Sequence, residues 1–226
     1  MAWGIDTSTP VGSISSFTAS CIASSTINGN PITFVCRYYC PLNIPNNPCY
    51  KVLTRSEAQA ISQAGLSIVS VFEWGNTQSY FTYDQGVSDA VTAFSYAANT
   101  IGQPGYTPIY FAVDYDAYTQ ADQTAIESYF QGIAAGYQDY LTQQRVNGLT
   151  EVPYYTGVYG SSCVMTWLQT ANLAGYFWQV ESTGYCGGAN KNKWADDNLW
   201  QQPGGVVCGV SVDADESWGN GGGWKI

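Results

Sequence analysis

Short apolar runs recur along the chain at intervals that leave room for helices. They are AWGID (2–6), ITFVCRYY (32–39), LSIVSVFEW (66–74), PIYFAVD (108–114) and YYTGVYG (154–160). Runs of this length with little polar content read as strands buried on both faces. The segments between them show the period of a helix. Val87, Val91, Phe94, Ala98 and Ile101 share one face, and so do Ile126, Phe130, Ile133, Tyr137 and Leu141, which predicts helices over 87–101 and about 121–145. Thr54 followed by Glu57 has the form of a capping box, opening a third helix that ends near Gly65. Residues 162–172 make a shorter one, and 11–25 is Ser-rich and weakly helical. After residue 173 the rhythm changes: GYFWQVE (175–181), NLWQQ (198–202) and VVCGVSVDAD (206–215) are strand-like, with connections too short or too Gly/Asn-rich for full helices. The fold class predicted is α/β, a TIM-type barrel of five βα units followed by three strands, in a single domain over 1–226.

Chemistry in such a barrel gathers at the carboxyl ends of the strands. Five of the eight expected ends carry acids: Asp6, Glu73, Asp114 with Asp116, Glu181, and Asp213 with Asp215. Asp114 and Asp116, two apart on an extended chain, would face the same side about 6–7 Å from one another. Glycoside hydrolysis needs one protonated carboxyl for the leaving oxygen and an ionised one to meet the cationic centre. Crowded carboxylates raise one another's pKa and so supply the protonated partner. Asp116, Asp114, Asp6 and Asp213 are the catalytic candidates. Glu73, Glu181 and Asp215 join Tyr38, Trp74, Tyr115, Tyr159, Trp178, Gln179, Trp200 and Gln201 as substrate-binding candidates, because aromatic faces beside amides suit sugar rings. Other readings stand beside this one. An Asp at a strand end is also a helix N-cap, and several Asp could hold Ca²⁺ or Mg²⁺, although no EF-hand spacing is present. Trp178 and Trp200 fit a core equally well, and Glu73 could pair with Arg37, the one basic residue inside a strand.

Composition narrows the field. The chain has no His, which removes His-based nucleophilic catalysis and His-ligated metal. No cofactor and no metal are expected. Aromatic residues make up 15%, including 18 Tyr and 8 Trp, more than a core alone calls for. A net charge of −10 argues against nucleic acid and anionic membrane surfaces as partners, leaving a polysaccharide or oligosaccharide. No apolar run is long enough to span a membrane. Seven Cys, without zinc-site spacing in CRYYCPLNIPNNPCY, favour disulfides and an extracellular location, with one Cys left free or bridging chains. MAWGIDTSTP has neither a basic nor a long apolar segment, so if the protein is secreted its leader is expected to have been removed or to lie outside this sequence.

GIDTSTP, FVCRYY, AGLSIVSVFEWG, PIYFAVDYDA, GVYG, FWQVE, LWQQ and VSVDAD occur in this order over nearly the whole chain. In that order they resemble the glycoside-hydrolase-like domains of unknown-function family 1906, a family similar to the lysozymes of glycoside hydrolase family 25. The resemblance implies the same barrel and a secreted, retaining glycosidase acting on an N-acetylhexosamine polysaccharide, with attack by the sugar's own 2-acetamido group. It also implies roles: Asp116 as the acid, Asp114 or Asp213 steering the acetamido group, and Asp6 in support. The related lysozymes carry Glu where this chain has Asp116, which sets the carboxyl back by about 1.5 Å. A non-catalytic glycan-binding domain, or an extracellular structural protein on the same barrel, is the alternative.

Overall fold

The computed structural model describes residues 1–42, 47–186, 194 and 196–226. In chain order the strands are β1 (Ala2–Asp6), β2 (Thr26–Ile27), β3 (Asn30–Tyr39), β4 (Ser67–Phe72), β5 (Thr107–Ala112), β6 (Tyr154–Gly160), β7 (Tyr176–Gln179), β8 (Leu199–Val207) and β9 (Val210–Ser217). The helices are α1 (Ala19–Ala23), α2 (Arg55–Gln63), α3 (Tyr83–Ser95), α4 (Gln120–Val146) and α5 (Ser162–Thr170). A π turn at Tyr96–Ile101 continues α3, and Thr119 with Asp122 forms the capping box that starts α4.

Eight strands close into a barrel because β1 pairs with β3 on one side and with β9 on the other. The two-residue β2 is an annex paired to the start of β3. The neighbouring pairs from β1 through β3 to β8 are parallel, whereas β9 is antiparallel to both β8 and β1. Alternation along each strand sorts side chains into two compartments. Phe34, Cys36, Val71, Tyr110 and Trp178 fill the barrel interior. Val35, Tyr39, Phe72 and Phe111 face the surrounding helices. Gly4 is required on the inner side of β1, because a Cβ there would collide with the Phe34 ring.

Three local expectations are corrected. The run 206–215 is not one strand: Val207 pairs with Val210 across a two-residue turn at Cys208 and Gly209, both with positive φ (53° and 84°). Two such residues make the hairpin turn whose twist matches the flanking strands. Asp213 and Asp215 therefore lie inside β9 rather than at its end, and the reversed direction is what brings Asp213 beside Asp6. Second, β5 stops at Ala112, so the two-residue alternation of a strand does not carry through to Asp116. Third, Glu57 does not complete a capping box. Thr54 accepts the Glu57 N–H at 3.2 Å, but the Glu57 carboxylate turns to Arg37.

That buried pair joins three segments. Arg37, on the helix-facing side of β3, is fully buried. Its Nε donates to Glu57 Oε1 at 2.7 Å, its Nη1 to the Thr7 carbonyl and its Nη2 to the Lys51 carbonyl at 3.1 Å. Glu57 Oε1 also accepts the Val11 N–H at 2.7 Å. Arg37 thus does not pair with Glu73, whose partner is Lys51 at 2.8 Å. Disulfides Cys21–Cys208, Cys40–Cys49 and Cys163–Cys186 supply further ties and leave Cys36 free and buried. Among the described residues no helix is long and apolar enough to cross a membrane.

Removing one partner of a buried ion pair strands the other charge, typically at about 3–5 kcal/mol. Glu57→Gln is expected to lose stability on that scale in urea unfolding. The paired replacement Arg37→Met with Glu57→Leu should lose clearly less than the two single changes added together.

Candidate active site

The carboxyl ends of the parallel strands, together with the first half of β9, surround a cleft of about 300 Å³. Asp6, Glu73, Asp114 and Asp213 all line it, brought from four different strands or the residues that follow them. Tyr38, Tyr159, Trp178 and Gln201 complete the part of the wall that sequence reading anticipated.

Asp6 is the most constrained of the acids. It is 4% exposed. Its Oδ1 accepts from Tyr38 O–H at 2.9 Å and its Oδ2 from Gln201 Nε2 at 2.8 Å. Gln201 Oε1 in turn accepts from Tyr159 O–H at 2.9 Å and from the Glu181 N–H at 3.1 Å. Burial, reinforced by the negative charge of Asp213, pushes the Asp6 pKa up to about 7, against the opposing effect of those two hydrogen bonds.

One layer deeper, Asp215 is fully buried and accepts from Trp178 Nε1 at 2.9 Å and from the Cys36 thiol at 3.6 Å. Burial first and the Asp6 charge second hold its carboxyl well above the usual range. Trp178, 1% exposed, is both barrel core and cleft floor, with its ring edge-on to Tyr159 at 5.0 Å. Asp114 is half-buried and its pKa is raised by burial and by Glu73, while Lys51 opposes the rise. Burial also raises Asp213.

Sequence reading missed Lys51, Tyr50 and Ser8. Lys51 Nζ pairs with Glu73 at 2.8 Å and sits 4.3 Å from the Tyr38 ring centroid. The segment returning from the Cys40–Cys49 loop bridges Val52 to Tyr38, and Leu53 N–H donates to the Tyr38 carbonyl at 2.8 Å, which sets Tyr50 and Lys51 at the mouth. The available signal was the scarcity of cations, only 7 in the chain, one of them directly after the Cys-rich stretch.

Several candidates lie elsewhere. Asp116 is exposed and its Oδ1 accepts the Cys186 N–H at 2.8 Å; it is not among the residues that line the cleft. Tyr115 donates to Asp122 at 3.1 Å and stacks on Phe81. Gln179 accepts the Trp194 N–H at 2.6 Å. Trp200, between the inward residues Leu199 and Gln201, faces outward. Glu181 meets the site through its backbone, and Trp74 borders an adjoining hollow. Among the described residues no group of three or more Cys, Asp or Glu is arranged to hold a metal ion.

The elevated Asp6 pKa sets a sign for stability. Between about pH 4 and 7 the folded chain keeps a proton that the unfolded chain releases, so stability falls as pH rises through that window and levels off above it. Each such carboxyl contributes a slope of about 1.4 kcal/mol per pH unit. Urea midpoints at pH 5 and 7 should therefore differ in favour of pH 5, and Asp6→Asn should reduce the dependence, leaving what Asp215, Asp114 and Asp213 contribute.

Comparison with known proteins gives this site a context. A stretch of Uncharacterized protein YbfG from Bacillus subtilis (strain 168) is 35% identical over 165 residues, covering 70% of this chain and 22% of that protein. Uncharacterized protein FadG from the same organism is 31% identical over 162 residues, covering 70% of this chain and 26% of that protein. The matched part of the chain thus spans about a quarter of the length of either relative. In fold it is similar to the Mycobacterium tuberculosis Tat-secreted protein Rv2525c. The crystal structure of that protein with HEPES aligns with a TM-score of 0.72 at 23% identity, covering 99% of this chain and 98% of that one. Its complex with L-tartrate aligns with a TM-score of 0.67 over the same shares. Residues 25–221 match the Rv2525c-like, glycoside hydrolase-like domain, and the chain belongs to that family.

Proposed function

We propose that the protein is a secreted glycoside hydrolase acting on an N-acetylhexosamine polysaccharide. The observation that carries this reading is the convergence of Asp6, Glu73, Asp114 and Asp213 on one aromatic-walled cleft, with Asp6 held protonated into the neutral range. Three disulfides and the Tat-secreted structural neighbour support an extracellular place of action.

The similarity to family 25 lysozymes would make Asp116 the acid. In this reading Asp114 takes that role instead, because it lines the cleft, is half-buried and has a raised pKa. Asp114 passes its proton to the glycosidic oxygen as the bond from C1 to that oxygen breaks. The carbonyl oxygen of the sugar's 2-acetamido group closes on C1, and Asp213 balances the positive charge that appears on the ring so formed. Water then attacks C1 as the bond from C1 to the acetamido oxygen breaks and the neutral amide re-forms, the water gives its proton to the Asp114 carboxylate, and the configuration is retained. Asp6, fixed between Tyr38 and Gln201, supports the cleft wall without touching the scissile bond.

One observation favours a glycan-binding domain without catalysis: the carboxylate matching the lysozymes' acid is occupied by the Cys186 N–H outside the cleft. Mass-spectrometric digests of peptidoglycan, chitin oligomers and galactosaminoglycan fragments at pH 4–6 separate the two. The expected result is cleavage by the parent and a loss of about a hundredfold or more in Asp114→Asn, with Asp116→Asn retaining most activity. Loss confined to Asp116→Asn would return the acid role to that residue, and no cleavage by the parent would leave the binding domain.

Activity is also expected to decline as pH rises past the point where Asp114 loses its proton. A pH–rate profile of the parent checks this. Lys51→Met removes the opposing charge and should move the alkaline limb upward.

A further inference from the structure

Beside the acidic cleft lies a second hollow of about 370 Å³, bounded by Tyr50, Lys51, Trp74 and Tyr80 with Asn47 and Cys49. Tyr50 and Lys51 border both spaces, so the hollow continues the cleft rather than standing apart from it. We propose that this hollow is a second saccharide subsite, which takes a pyranose ring of the same glycan chain whose neighbouring unit occupies the cleft. The proposal rests on the glycan reading above and adds the place where the chain runs on.

The hollow has a fixed shape. The Tyr80 hydroxyl donates to Asp89 Oδ2 at 2.6 Å, and the ring meets Tyr129 and Phe81 at centroid distances of 6.1 and 5.4 Å. Gly75 leaves the space that ring occupies, since a Cβ there would collide with it. Trp74 directly follows Glu73, whose carboxylate lines the cleft, and packs partly buried against the hydrophobic core just past the end of β4. On the opposite rim the Cys40–Cys49 disulfide and the Val52–Tyr38 bridge hold the segment that presents Tyr50. Tyr50 is 77% exposed, a large aromatic surface left open to water beside a polar cleft.

The mixture of surfaces selects the ligand class. A pyranose has an apolar C–H face and a rim of hydroxyls and amides. Aromatic faces flanked by the Lys51 ammonium and the Asn47 amide offer both kinds of contact. Lys51 at the junction spends one donor on Glu73, and an ammonium has three.

The test uses the Asp114→Asn protein as host, so that binding is read without turnover. Titration calorimetry compares di- and hexasaccharides of N-acetylglucosamine and of N-acetylgalactosamine. Adding Trp74→Ala is expected to weaken the bound hexasaccharide about tenfold, leave the disaccharide within about twofold, and be largely rescued by Trp74→Phe. An unchanged hexasaccharide affinity in Trp74→Ala, equal losses for both lengths, or a hexasaccharide that binds no tighter than the disaccharide in the host would overturn the subsite alone. Absence of binding by either sugar at either length would overturn the glycan reading and the subsite with it.

Discussion

The buried Arg37 guanidinium organises the mouth of this barrel. A fully buried cation is tolerable only when its donors are met, and here they are met by segments far apart in sequence: the Thr7 carbonyl, the Lys51 carbonyl and the Glu57 carboxylate. The first of these directly follows Asp6, the last residue of β1, and the second belongs to the segment carrying Tyr50 and Lys51. One side chain on the helix-facing side of β3 thus fixes the backbone on which two parts of the cleft wall hang. Its inward neighbours on the same strand, Cys36 and Tyr38, reach Asp215 and Asp6.

Inside the barrel the polar groups form two levels. The lower one joins Asp215 to Cys36 and Trp178, and the upper one joins Asp6 to Tyr38 and Gln201 and through Gln201 to Tyr159. Both levels sit in a compartment otherwise filled by Phe34, Val71, Tyr110 and Leu199. Low polarity and like charge act in the same direction there, so both carboxyls are held toward their neutral forms. The half-exposed acids Asp114 and Asp213 sit above them, where a substrate could reach.

Much of the scaffold was legible without coordinates. The helix expected over about 121–145 is Gln120–Val146, and the apolar runs at 2–6, 32–39 and 154–160 fall on β1, β3 and β6. Strands buried on both faces and helices buried on one stripe carry different periods, and that difference survives in any linear reading. Asp6, Glu73 and Asp114, at or just past the ends of β1, β4 and β5, could be picked out for the same reason: a polar residue closing an apolar run is a local signal.

Side-chain partnerships followed another logic. Glu57 had the spacing of a capping box, yet its carboxylate serves Arg37, because an unmet buried guanidinium outweighs one helix-end N–H. Asp116 had the spacing of a catalytic pair with Asp114, but β5 had already ended and a loop N–H took its carboxylate. Cys208 and Gly209 hid a hairpin within an apparently continuous strand; that turn reverses β9, and only the closing of the barrel onto β1 put Asp213 opposite Asp6. Local periodicity, written within a few residues of each position, determined the elements and the acids that end them. Tertiary structure alone decided which of those acids share a cleft, because pairing, burial and charge competition join residues that are distant along the chain.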